Sequence, residues 1–172
     1  SYQKVDVLKI INLVSDHHLD LLRRKNINYK LRDLRTVNNE IDSDPVMIEL
    51  IFSNIIGNAV KYTLDNETVL IELKEEKNLL IIEISDSGIG IPKDEIDKVF
   101  NQFYRAKNLS GQKFEGSGLG LSLVKEIVER LDGSIIVNSP SKIGNAKNPG
   151  ITVTITLPIS KLINSSRSYD VV

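Results

Sequence analysis

Apolar positions recur with helical and strand periods in the first third of the chain. From Leu8 to Lys25 the apolar residues follow a helical spacing, whereas Ile27 to Leu34 alternate apolar and polar residues as a strand does. Asp44-Pro45 places an acceptor side chain at a helix cap and proline at the first helical position. Apolar periodicity then continues to about Tyr62 to Leu64. These patterns predict one helix, one strand and a second helix.

The rest of the chain predicts strands and helices separated by turn and loop sequences. Thr68 to Leu73 and Leu79 to Ser85 are rich in Ile, Leu and Val, and Lys77-Asn78 between them favours an antiparallel pair. The Ser, Gly, Lys and Asn content of Tyr104 to Gly116 predicts a mobile loop. The other predicted elements are a short helix from Pro92 to Val99, a helix from about Leu119 to Leu131, and strands from Ser134 to Ser139 and from Ile151 to Leu157.

This mixed order of helices and strands predicts the α+β class. We expect an α/β sandwich in which three helices cover one face of a mixed, mostly antiparallel sheet. The 172 residues suffice for one domain with a substantial core, which we place at residues 1–160. The polar residues 161–172 are expected to form a C-terminal tail.

Composition excludes several classes of partner and chemistry. The 22 basic residues nearly balance the 23 acidic ones, so no nucleic-acid surface or polybasic membrane surface is expected. The absence of cysteine excludes disulfides, thiolate zinc sites and cysteine nucleophiles. Apolar runs are too short to span a bilayer, so we expect a cytoplasmic segment without direct membrane contact, whether or not a longer parent protein is anchored in the cell membrane.

Three polar side chains share one stripe of the second predicted helix. Asn54, Asn58 and Lys61 fall at positions i, i+4 and i+7 among apolar neighbours, with Tyr62 beside them. The amide oxygen of Asn58 suits Mg²⁺, which takes hard oxygen ligands from proteins and from phosphates. Lys61, one turn further on, would meet a phosphate as a point charge. A stripe that simply faces solvent is the alternative.

A carboxylate followed by two glycines lies at the end of a predicted strand. After Asp86, the missing side chains of Gly88 and Gly90 permit a planar ligand to approach the backbone closely. Asp86 can accept a hydrogen bond from the exocyclic amine of adenine, while Ile89 and Ile91 supply apolar packing against the ring. The segment therefore indicates a base-binding site, and a glycine turn capped by Asp86 is the structural alternative.

A second glycine motif, Gly116 to Leu121, opens the helix predicted from about Leu119. Unpaired backbone N–H groups at a helix start favour anions, so this segment is a candidate phosphate site. It lacks the Lys-Ser/Thr ending of a P-loop, and a lone glycine repeat is weak evidence of nucleotide binding. A loop rather than a strand precedes it, which argues against a dinucleotide fold.

In this order, the asparagine helix, Asp86 to Gly90, Phe100 to Arg105 and Gly116 to Gly120 resemble the catalytic and ATP-binding domain of bacterial sensor histidine kinases. The similarity extends from about Val5 to Pro158. It implies the Bergerat fold, which that domain shares with gyrase, mismatch-repair ATPases and heat-shock chaperones. It also implies that ATP lies between the helices, beneath a flexible lid at about Tyr104 to Gly116.

The resemblance implies a role for each matching residue. Asn58 resembles the Mg²⁺ ligand, Asp86 the carboxylate that reads adenine, and Arg105 a phosphate contact at the lid. The expected catalytic residues are Asn58, Lys61 and Arg105. The expected ATP-binding residues are Asn54, Asn58, Lys61, Tyr62, Asp86, Gly88, Gly90, Ile91, Tyr104, Arg105, Gly116, Ser117, Gly118, Leu119, Gly120 and Leu121.

One position separates transfer from hydrolysis in this resemblance. In the resembled group, the members that hydrolyse ATP have a glutamate four residues before the metal-binding asparagine, where it acts as the general base. Asn54 occupies that position here and cannot take a proton at neutral pH. The resemblance therefore implies a pocket that holds Mg-ATP for γ-phosphoryl transfer to a histidine on a separate helical dimerisation domain, in signalling to a response regulator receiver domain.

Some residues depart from the family pattern or admit another interpretation. Phe100 and Phe103 match an aromatic box of the family but are also interpretable as core anchors. Asn101 stands where that box usually has glutamate, and the loop from Ser141 to Pro149 is longer than usual, which bears on partner docking. His17-His18 does not match the phosphoacceptor motif, so both histidines are interpreted as ordinary surface or half-buried residues.

Two other functions fit the same fold. An anti-sigma-type serine kinase would bind a transcription partner, whereas a nucleotide-sensing module would use lid order as its output. The Phe-Tyr-Arg segment and the complete second glycine motif favour the histidine kinase interpretation.

Overall fold

The structure, a computed structural model, describes residues 1–37, 40–104 and 120–161. Its strands are β1 (Gln3–Val5), β2 (Asn28–Asp33), β3 (Ile41–Ser43), β4 (Thr68–Glu76), β5 (Leu79–Asp86), β6 (Ser134–Asn138) and β7 (Thr152–Pro158). Its α-helices are α1 (Val7–Asp16), α2 (Leu19–Arg24), α3 (Pro45–Tyr62) and α4 (Gly120–Arg130), and a 3₁₀ helix spans Lys93–Lys98.

The larger sheet has the strand order β2-β4-β5-β7-β6. Strands β2 and β4 are parallel, and every other neighbouring pair in this sheet is antiparallel. Alternate side chains are buried on one face, as with Ile71 on β4, Ile82 on β5 and Ile155 on β7. Burial of this face explains why these strands are rich in Ile, Leu and Val. The mixed, mostly antiparallel sheet is confirmed.

Helices α1, α3 and α4 form the layer on the buried face, and α3 contacts both of the others. Helix α3 begins where the sequence predicts, because Asp44 Oδ1 accepts a hydrogen bond from Val46 N at 3.0 Å and Pro45 follows. Its apolar side includes Phe52 and Ile56, both fully buried. Burying such a side chain contributes roughly 1.5–3 kcal/mol, so packing on the sheet holds α3 in place.

The prediction of a single first helix is wrong, because the chain breaks at His17 and His18 to form α1 and α2. His17 is exposed, whereas His18 is half-buried, with burial as the first cause that lowers its pKa. These are the positions expected for ordinary histidines. Strands β1 and β3, which pair antiparallel, are absent from the prediction because three residues carry too little alternation.

The short helix predicted from Pro92 to Val99 is the 3₁₀ helix Lys93–Lys98. Most of the predicted lid and residues 162–172 of the predicted tail lie outside the described residues. Within the described ranges, no helix has both the length and the apolar character needed to traverse a bilayer.

Candidate functional site

The polar stripe of α3 is present and half-buried. Asn54, Asn58 and Lys61 lie on this side of the helix, between fully buried neighbours. Asn54 Nδ2 donates to the Leu50 carbonyl at 2.8 Å, which fixes the amide, and its Oδ1 lies toward Gly120 at the start of α4. Within residues 1–37, 40–104 and 120–161, the Asn58 amide makes no side-chain hydrogen bond. The Asn58 amide is therefore not engaged by any side chain that the structure describes.

The C-terminal end of α3 is held by Lys25, which no sequence motif indicates. Lys25 Nζ donates to the carbonyl oxygens of Val60 at 2.8 Å and Lys61 at 3.0 Å. These carbonyls have no partner inside the helix, and a cation there also offsets the helix dipole. Burial lowers the pKa of Lys25. Lys61 and Tyr62, whose ring centroid lies 5.1 Å from Lys61 Nζ, thus project from a fixed helix end.

Asp86 lies at the end of β5 and is almost completely buried, with 3% of its surface exposed. Its Oδ1 accepts hydrogen bonds from the backbone N–H groups of Gly88 at 2.9 Å and Ile151 at 3.2 Å. Burial raises the pKa of Asp86 to about 6, although these two bonds oppose the rise. No described residue donates to Oδ2. One carboxylate oxygen is therefore held by the backbone, and the other has no hydrogen-bond donor among the described residues.

The turn after Asp86 packs directly against the end of α3. A Cβ atom at Gly88 would lie 2.5 Å from the Tyr62 carbonyl oxygen and 3.0 Å from Asp86 Oδ1. Only glycine permits this approach. Gly90 has a φ of 70°, and Ile91 packs against the core. The structure therefore brings the first glycine motif to the helix that carries the asparagines.

The start of α4 approaches the same face of α3. A Cβ atom at Gly120 would lie 3.0 Å from Asn54 Oδ1 and 3.9 Å from Asn58 Nδ2. Leu121 packs against the core and anchors this first turn. The last glycine of the second motif thus lies beside the two asparagines, as expected of a site that joins the three motifs.

The aromatic segment is divided between core and surface. Phe100 packs against the hydrophobic core, whereas Phe103 is 70% exposed, so the core-anchor interpretation is wrong for Phe103. Tyr104 also packs on the core, and its pKa is raised first by burial and then by the nearby Glu95. The predicted site residues Arg105, Gly116, Ser117, Gly118 and Leu119 lie outside the described residues.

Comparison with known proteins decides the family. Residues 43–161 match the model of the histidine kinase-, DNA gyrase B- and HSP90-like ATPases. The chain belongs to this family. It is 35% identical over 158 residues to the sensor histidine kinase WalK of Bacillus subtilis (strain 168), covering 90% of this chain and 24% of WalK. The chain thus spans about a quarter of the length of this relative.

Solved structures agree with the fold of this ATPase family. The mycobacterial sensor histidine kinase MprB is 26% identical, with a TM-score of 0.76 over 92% of this chain and 97% of that one. Histidine kinase ThkA, solved in complex with response regulator protein TrrA, has a TM-score of 0.72 at 20% identity, over 92% of this chain and 42% of that one. The expected Bergerat fold and the resemblance to histidine kinase catalytic domains are confirmed.

Residues without a recognisable sequence signal support the Asp86 turn. Ser141 and Asn148, in the segment between β6 and β7, are buried against the Asp86 turn, as is Glu67 in part. Ser141 Oγ donates to the Asp86 carbonyl at 2.7 Å. Asn148 Nδ2 donates to Glu67 Oε1 at 2.6 Å. Serine and asparagine in a Gly/Pro-rich loop carry no periodic signal, so only the three-dimensional contacts reveal them.

Proposed function

We propose that this chain is the ATP-binding catalytic module of a sensor histidine kinase, which holds Mg-ATP and presents its γ-phosphoryl group to a histidine on a separate dimerisation domain. One observation carries the proposal: the Asn54 and Asn58 face of α3 lies against Gly120, and the end of the same helix lies against the Asp86 turn. A phosphate-binding end and a base-binding end are thus joined by one helix.

The residues at the phosphate-binding end fit a magnesium nucleotide. The Asn58 amide oxygen is a hard, neutral ligand without a described side-chain partner, and Gly120, which has no side chain, lies beside the Asn58 amide. Mg²⁺ bound with ATP would neutralise phosphate charge during transfer. Lys61 would add a positive charge near the phosphates. Asn54, whose amide is fixed by its bond to the Leu50 carbonyl, would supply a further polar contact.

The absence of a base at residue 54 favours transfer over hydrolysis. The Asn54 amide donates to the Leu50 carbonyl and cannot take a proton from water near neutral pH. Phosphoryl transfer needs chiefly positioning and charge neutralisation, so the nucleophile can come from another domain. We further propose that the phosphate passes from that histidine to a response regulator receiver domain, and that the module works in the cytoplasm.

The proposed transfer is tested by mixing the chain with Mg-ATP and a separately produced dimerisation domain of a related kinase. We expect acid-labile, base-stable phosphate on the dimerisation domain and none on this chain alone. ATP binding without any transfer would favour the nucleotide-sensing module instead. Acid-stable phosphate on a serine would favour the serine kinase.

The metal role of Asn58 is tested by the ratio of ATP affinities with and without Mg²⁺. We expect Asn58→Ala to remove the gain in affinity that Mg²⁺ gives the wild-type chain, with the fold intact by circular dichroism. Asn12→Ala, an exposed amide on α1, serves as the matched control and should keep the gain. An unchanged Mg²⁺ dependence in Asn58→Ala would remove Asn58 from the metal site.

A further inference from the structure

The β6–β7 loop, residues 139–150, packs against the back of the Asp86 turn. Two of its polar residues, Ser141 at 9% exposure and Asn148 at 6%, are as buried as core side chains. Buried polar groups are retained where hydrogen bonds satisfy them. The contacts of these two residues therefore show what the loop holds.

Ser141 holds the backbone of Asp86. Its Oγ donates to the Asp86 carbonyl at 2.7 Å and accepts from Ile143 N at 3.2 Å, which fixes the hydroxyl direction. Where the loop ends, Gly150 N donates to the Gly88 carbonyl at 2.9 Å. The next residue, Ile151, donates its N–H to Asp86 Oδ1 at 3.2 Å. The loop and the residue after it thus contact both the backbone and the carboxylate of Asp86.

Asn148 fixes the turn from its other side. Its Nδ2 donates to Glu67 Oε1 at 2.6 Å, and Ser87 Oγ donates to Glu67 Oε2 at 2.7 Å. Ser87 Oγ in turn accepts from Thr68 N at 2.8 Å. One glutamate therefore ties the loop, the residue after Asp86 and the start of β4 together.

We propose that Ser141 and Asn148 are positioning residues for base recognition: through the β6–β7 loop they hold the Asp86 carboxylate where its Oδ2 meets the exocyclic amine of the nucleotide base. This inference rests on the proposed function. To distinguish a base that carries an amine from one that carries a carbonyl oxygen, the protein needs an acceptor fixed within a few tenths of an ångström. Hydrogen bonds form only over a narrow range of distance. The Asp86 carboxylate accepts hydrogen bonds at Oδ1 only. The position of Oδ2 therefore depends on the Asp86 backbone, which the loop holds through Ser141.

The test compares the affinity for ATP with that for inosine triphosphate, which carries a carbonyl oxygen in place of the amine. In the full chain, Ser141→Ala and Asn148→Ala should each weaken ATP binding about fivefold, the effect of one lost hydrogen bond, and leave inosine triphosphate binding nearly unchanged. Ser141→Thr keeps the hydroxyl and should restore the preference. Lys147→Ala, an exposed position of the same loop, is the matched control.

The outcomes separate the inference from the function on which it rests. A wild-type chain without preference for ATP, or a preference that survives Asp86→Asn, would overturn the base-reading role of Asp86 and with it the inference. If Asp86→Asn abolishes the preference and both loop variants keep it, only the positioning role is overturned. Equal weakening of both nucleotides would also overturn it, because the loop would then act on stability alone. Should Asn148→Ala not fold, the Ser141→Ala and Ser141→Thr pair decides.

Discussion

Glu72 and Glu83 lie directly opposite each other on the neighbouring strands β4 and β5. Only 9% and 18% of their side chains are exposed, and like charges in this arrangement destabilise a sheet. Lys142 Nζ contacts Glu72 and lies 2.8 Å from Glu83 Oε2, while Lys74 Nζ lies 2.8 Å from Glu83 Oε1. These lysines lower the pKa of Glu83. The sheet face opposite the helices therefore depends on a cation from the β6–β7 loop.

Replacing this cation should destabilise the fold in a pH-dependent way. Lys142→Met keeps the apolar stem and should lower the free energy of unfolding by about 1 kcal/mol near neutral pH. Because the pKa of Glu83 is lowered in the folded state, the stabilisation is present above the ordinary value of 4.5 and is lost as the pH falls through the folded value. Urea unfolding at about pH 7 and about pH 3 measures both differences. Lys147→Met is the control, and an equal loss at both pH values would assign the effect to packing.

Asp86 should limit the stability of the nucleotide-free protein. Its pKa is raised from 3.8 to about 6, so the stability linked to its titration is fully present below the unfolded value and is lost as the pH rises through about 6. In Asp86→Asn, the gain in unfolding free energy relative to wild type should grow by roughly 2 kcal/mol between about pH 4 and pH 7. Urea unfolding across this range checks the trend. A difference that stays constant with pH would contradict it, and Glu49→Gln, an exposed carboxylate on α3, is the control.

The elements that the sequence predicts well are those with local signals. Helix α3 has the Asp44 cap, Pro45 and an uninterrupted apolar period, and the β4–β5 pair has its turn at Lys77-Asn78. Local signals fail where the outcome depends on distant residues. The parallel pairing of β2 with β4 and the β1–β3 pair are examples, because tertiary context decides strand pairing.

The candidate site follows the same division. Asn58 and Asp86 stand out as candidates in the sequence because their residue types and spacing suit a ligand. The residues that hold them were not predictable: Lys25 reaches the end of α3 from a segment 35 residues away, and Ser141 reaches Asp86 across 55 residues. A hydrogen bond to a backbone carbonyl constrains only one side chain, so it leaves little pattern in a single sequence.

The Lys25 contact should stabilise the end of α3 and the ligand site together. Lys25→Met keeps the stem but removes the hydrogen bonds to the Val60 and Lys61 carbonyls. We expect a loss of about 1 kcal/mol in unfolding free energy and weaker ATP binding, since Lys61 and Tyr62 then project from a frayed helix end. Chemical denaturation and ATP titration give the two values. Lys9→Met on the exposed side of α1 should change neither, and intact ATP affinity in Lys25→Met would show that the helix end does not need this cap.

Gly57, in the middle of α3, should tolerate alanine with a gain in stability. A Cβ atom there would meet only the His18 ring, at 3.6 Å, which is an ordinary van der Waals contact. Alanine is favoured over glycine inside a helix by about 0.8–1 kcal/mol, so Gly57→Ala should raise the free energy of unfolding by up to this amount. The same substitution at Gly150 is the contrast, because its φ is 62° and the Cβ would overlap the Asp86 carbonyl oxygen. In both thermal and urea unfolding, Gly57→Ala should therefore raise the midpoint and Gly150→Ala should lower it. Destabilisation by Gly57→Ala would show that the His18 ring needs the space beside α3.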